Sequence, residues 1–122
     1  MHDADLVVAS ELTLVECDRV LVRAQAQGRL TAGEAADRRT LLEAAAATWY
    51  RLQLDKSILD RARHPFPDEP LRTLDALHLA SALLVRDAVP DLRLLSLDRR
   101  IRRNGASLGL SLAPPDPPLA VR

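Results

Sequence analysis

Short apolar runs alternate with longer stretches of helical periodicity along this chain, and that alternation constrains its fold more than any other feature. Leu6-Val7-Val8-Ala9 is rich in β-branched residues and reads as a buried strand ending at Ser10. From Ser10 to Gln27, Leu12, Val15, Leu21 and Val22 recur at helical spacing, and Gly28 stops the helix. Thr31 has Glu34 three positions on, the spacing of a capping box, which predicts a second helix through Ala47. Trp49 to Leu54 alternates as a strand does. Asp55 then caps a short helix from Lys56 to Arg63, which ends before Pro65, and Pro65 to Pro70 reads as a loop. Leu74 to Val89 is apolar around nearly its whole helical circumference and predicts a central buried helix ended by Pro90. Leu92 to Leu97 is the next strand, Asp98 opens a basic helix to Leu108, and Gly109 releases the chain into a last strand, Leu110 to Leu112.

Strands separated by helices imply an α/β architecture with a parallel sheet flanked by helices on both faces. A length of 122 residues holds one core, so residues 1–113 are expected to form a single domain, followed by a Pro-rich tail, 114–122, in extended conformation. Trp49, Tyr50 and Phe66 are the only aromatics, so the core is built from Leu, Val and Ala. No internal repeat is present. In open sheets of this kind the site lies where strand C-terminal ends meet helix N-termini.

The formal net charge is zero, which removes the bulk attraction a basic protein has for nucleic acid and leaves any RNA binding to a local patch. The shortage of aromatics argues against stacking platforms for bases. A single cysteine, Cys17, excludes an internal disulfide and a cysteine-built metal site. No apolar run reaches the length of a membrane span, and the N-terminus lacks the pattern of a signal peptide, so a cytoplasmic location is expected.

Three carboxylates stand out by position. Glu16 lies three residues after Thr13, a spacing that also suits a capping box. Asp75 lies near a helix start, where the macrodipole favours a carboxylate, yet within an apolar helix it needs a hydrogen bond, an ion pair or a metal. Asp98 follows a strand and is well placed as a plain N-cap. Brought to one end of a sheet, such carboxylates make a hard-oxygen site suited to Mg²⁺ or Mn²⁺, which activates water and stabilises charge in phosphodiester hydrolysis.

The segments Val8-Ala9-Ser10-Glu11-Leu12-Thr13-Leu14-Val15-Glu16, Leu74-Asp75-Ala76-Leu77-His78-Leu79-Ala80-Ser81-Ala82 and Leu95-Ser96-Leu97-Asp98 together resemble, in order, the signatures of the VapC-like PIN-domain family of toxin ribonucleases. The resemblance implies a metal-dependent endoribonuclease with Glu16, Asp75 and Asp98 as catalytic and metal-site acids and Mg²⁺ or Mn²⁺ as cofactor. It also implies a VapB-like antitoxin and a homodimer as partners beside the RNA substrate. The apolar faces of the first two helices are candidates for both partners. PIN domains begin with a core strand ending in an acid, and Met1-His2-Asp3-Ala4-Asp5 does not resemble it, so an N-terminally truncated fold is expected, with Asp3 and Asp5 in a solvated loop. That departure supports an alternative of another class, a catalytically inert module that binds an antitoxin or dimerises.

His78, one turn from Asp75, is read as a satisfied core histidine, with assistance at the site as the rival role. Arg99, Arg100, Arg102 and Arg103 follow Asp98, and Arg19 and Arg23 follow Glu16. Each group is either a solvated helix face or a set of RNA phosphate contacts, for which Arg19, Arg99 and Arg100 are the candidates.

Overall fold

The computed structural model describes residues 6–115, which fall in two compact units, Met1–Gln53 and Leu54–Arg122. In the first unit, strand β1 (Val8–Ser10) leads into helix α1 (Glu11–Ala26), followed by α2 (Ala32–Ala46) and β2 (Tyr50–Leu52). Ser10 closes the strand in extended conformation and its Oγ accepts from the Leu12 amide at 3.1 Å, so one residue serves as strand end and N-cap. The other end of α1 is a left-handed turn at Gly28 (φ +74°), with the Arg29 amide on the Ala24 carbonyl and the Gly28 amide on the Gln25 carbonyl. This double closure requires a positive φ, which glycine adopts without steric cost. The capping box at Thr31 and Glu34 is present, with both reciprocal bonds formed at 2.9 and 3.1 Å. β1 and β2 pair in parallel with Val8 opposite Tyr50 and Ser10 opposite Leu52.

The second unit contains α3 (Lys56–Ala62), α4 (Thr73–Ala88), β3 (Arg93–Leu95), α5 (Arg99–Ser107) and β4 (Ser111–Ala113). Asp55 caps α3, accepting from the Ile58 amide at 3.0 Å. Ile58 is fully buried and, with Phe66, Leu79 and Leu110, forms the unit's core. β3 and β4 pair in parallel with Leu94 opposite Leu112. α5 lies directly on this pair: a Cβ added at Gly105 would stand 2.8 Å from Leu94 Cδ2 and 3.2 Å from Leu112 Cδ2. The chain leaves α5 through Gly109 (φ +82°) by the same closure that ends α1.

The element order and the parallel pairing follow the sequence reading, and each helix ends within two residues of its predicted bounds. Two features differ. The strands pair as two separate two-stranded sheets, one in each unit. Helix α4 is not buried around its circumference: Ala76, Leu79, Ala80 and Ser81 are covered, while Leu74 is 42% exposed. An apolar composition does not dictate burial, because only the stripe facing a neighbour is removed from water. The expectations for Asp3, Asp5 and the end of the Pro-rich tail lie outside the described residues.

Candidate functional site

Glu16 is the sixth residue of α1. The cap of that helix is Ser10, so Thr13 and Glu16 lie inside the helix and the capping-box role open to them from spacing does not occur. Glu16 is half-buried and engaged with its surroundings. Beside it, burial raises the Cys17 thiol pKa, and the charges of Glu16 and Asp18 add to the effect, which favours the protonated thiol.

Asp98 and Asp75 belong to the second unit. Asp98 follows β3, where its amide donates to Ser96 Oγ at 3.1 Å. Its Oδ1 accepts from the Arg100 and Ile101 amides at 2.9 and 3.0 Å, the full N-cap role offered by its position. Capping fixes the carboxyl at the head of α5 and leaves it exposed. Asp75 is half-buried in the first turn of α4. Unlike α1, α2, α3 and α5, this helix has no side-chain cap, because its N-cap residue is Arg72. His78, one turn along, is half-buried and engaged.

The arginines after Asp98 do not form a free basic face. Arg100 Nη1 donates to the Pro70 carbonyl at 2.6 Å, Arg102 donates to the Ser96 and Pro114 carbonyls at 2.9 and 2.7 Å, and Arg103 Nε pairs with Asp68 Oδ2 at 2.7 Å. These side chains reach the loops around α5, while Arg100 and Arg103 stay exposed. Arg99 remains exposed, as do Arg19 and Arg23.

Sequence reasoning passed over Asn104. It is fully buried, its Oδ1 accepts from the Asp68 amide at 2.8 Å, and its Nδ2 donates to the Asp68 and Arg100 carbonyls at 3.0 and 2.9 Å. A signal existed: Asn104-Gly105 is a poor pair for a helix interior, and such residues persist there where tertiary contacts require them.

Asp75 and Asp98 are hard oxygen donors of the type that Mg²⁺ or Mn²⁺ takes. They are two, and Glu16 lies in the other unit. Among the described residues no group of three or more His, Cys, Asp or Glu side chains is gathered to hold a metal ion. Near the start of α4, Arg63, His64, Glu69 and Thr73 help line an open groove of about 350 Å³. In the first unit, Cys17, Val20, Leu21, Arg38 and Leu42 line an apolar groove of about 280 Å³. No helix among the described residues is long and apolar enough to cross a membrane.

A family model described as PIN domain matches residues 1–106, a span that includes Glu16, Asp75 and Asp98. No curated protein and no solved structure matches the chain.

Proposed function

The chain belongs to the PIN-domain family, and from that premise we propose that it is a metal-dependent endoribonuclease of VapC-like toxin type, with residues 1–113 acting as one cytoplasmic domain. PIN domains are in general nucleases that use divalent metal ions and bind RNA. The acids assigned to the site are Glu16, Asp75 and Asp98. The observation that carries the reading is the family match across all three, joined by the placement of Asp75 in the first turn of α4 and Asp98 at the head of α5 within one unit. A bound Mg²⁺ or Mn²⁺ would supply charge neutralisation at the phosphodiester and a more acidic water. The chain's own part is to hold Asp75 in the first turn of α4 and Asp98 at the head of α5, with Glu16 carried within α1. Arg19, Arg99 and Arg100, all exposed, supply phosphate contacts.

The test is cleavage of a mixed RNA pool by the purified chain with Mn²⁺, with EDTA, and with Asp75→Asn. Cleavage that needs both metal and Asp75 supports the assignment. Cleavage that survives Asp75→Asn removes Asp75 from the site, and no cleavage by the folded chain refutes the enzyme.

A second reading, a module that binds a VapB-like antitoxin or a second copy of itself, is favoured by the apolar surface of the first unit. Val15, Val20 and Leu41 are 56%, 58% and 70% exposed, and Val20 also lines the apolar groove. Light scattering of the chain and of Val20→Glu distinguishes these states: a dimer that becomes monomeric in the variant supports self-association there.

A further inference from the structure

We infer that Asn104, together with Arg100, is a positioning residue that sets the first turn of α4, with Asp75, against the head of α5, with Asp98. The inference rests on the site assignment proposed above.

Among the described residues, four of the five helices begin with a side-chain cap, and α4 does not. Its start is held from outside, through the loop that precedes it. Arg100, Arg103 and Asn104 stand at i, i+3 and i+4 on α5 and so share one face. From that face they seize the loop at Asp68 and Pro70: Asn104 takes both backbone groups of Asp68, Arg103 takes its carboxylate, and Arg100 takes the Pro70 carbonyl. Glu69 stiffens the same segment from within, one oxygen accepting from the Phe66 amide at 2.9 Å and the other from the Leu71 amide at 2.7 Å. Arg72, the next residue, begins α4, and Asp75 follows in its first turn.

The amide of Asn104 suits this task because it is acceptor and donor at once. Aspartate would lose the donor to the Asp68 and Arg100 carbonyls, and leucine would lose both functions and leave the half-buried backbone of Asp68 without these partners. The same α5 turn that fixes Asp98 by capping therefore also fixes the approach to Asp75. Two carboxylates assigned to one cation must keep their separation within a fraction of an ångström, and groups behind the ligands that orient them change metal affinity by about 10–100-fold.

The experiment uses the full chain, Asn104→Ala and Arg100→Met, with hydrogen exchange followed by mass spectrometry and Mn²⁺ titration by calorimetry. In Asn104→Ala, exchange across residues 66–76 is expected to quicken about tenfold and the Mn²⁺ dissociation constant to rise about tenfold, with exchange in α1 and in the second half of α4 unchanged. Arg100→Met is expected to change both readouts in the same direction by less. It removes an exposed side chain, so it carries the test if Asn104→Ala does not fold.

Unchanged exchange overturns the inference, and so does faster exchange with unaltered Mn²⁺ affinity in the folded variants. Loss of RNA affinity in Arg100→Met without change in exchange or Mn²⁺ affinity would leave Arg100 on the RNA surface and remove it from the latch. Absence of Mn²⁺ binding by the unaltered chain would refute the metal reading, and the exchange pattern alone would then uphold or overturn the latch.

Discussion

The turns of the first unit are closed by neighbours and the loop of the second by strangers. Ser10 bonds two residues ahead, Thr31 and Glu34 bond each other across three, and Gly28 releases α1 through bonds confined to the adjacent turn. In the second unit the segment before α4 is held by Asn104, Arg103 and Arg100, from 30 to 36 residues away. A local cap costs little chain entropy to form and stabilises one helix end. A distant clamp orders a loop only after the helix that bears it has packed, so it reports tertiary structure and vanishes with it. The candidate acids divide along the same line: Glu16 rides inside a locally capped helix, whereas Asp75 begins a helix whose start is fixed from afar.

The largest effect expected is on chemistry. Asp75→Asn should lower Mn²⁺-dependent RNA cleavage by about a hundredfold or more with an unchanged circular dichroism spectrum. Loss of fold instead would make Asp75 part of the clamp's architecture. Next, Asn104→Ala should destabilise the chain by about 1–3 kcal/mol in urea denaturation, because it removes a fully buried side chain and leaves the half-buried backbone of Asp68 without its partners. Thr31→Ala should cost about 1 kcal/mol in the same assay, the ordinary value of an N-cap. Equal losses in these two variants would erase the distinction between local and distant closure.

Asp98→Asn separates two roles at one residue. Asparagine caps as well as aspartate, so stability should hold within about 0.5 kcal/mol while Mn²⁺ affinity falls, whereas Asp98→Ala loses both.

The smallest effect is one of pH. The Thr31 backbone and side-chain hydrogen bonds hold the Glu34 carboxyl below its ordinary 4.5. A depressed folded value stabilises the fold above the unfolded pKa, and that contribution is lost as pH falls through the lowered one. Urea midpoints measured from neutral pH down through this acid range should show a component that Glu34→Gln abolishes.

Much of the architecture was legible because its signals are local. Caps at Thr31, Asp55 and Asp98, and glycines at 28 and 109, lie within one turn of the helices they bound, and the strand runs are short and apolar. The family motifs are likewise contiguous and placed Glu16, Asp75 and Asp98 as candidates. Spacing misled at Thr13 and Glu16, since a capping-box interval recurs by chance inside helices and nothing local tells which threonine stands at the end. At Arg100, Arg102 and Arg103 the run of charge gave no sign that these side chains also reach the loops at Pro70, Ser96 and Asp68.

The order of strands and helices, their ends and the choice of candidate acids were thus written in short stretches of chain, because backbone hydrogen bonding and side-chain period act over one or two turns. Which arginines are occupied, why an asparagine is buried in a basic helix, and what holds the start of α4 depend on residues some three dozen positions apart meeting in space. Only packing brings such groups together, and no periodicity along the chain encodes the meeting.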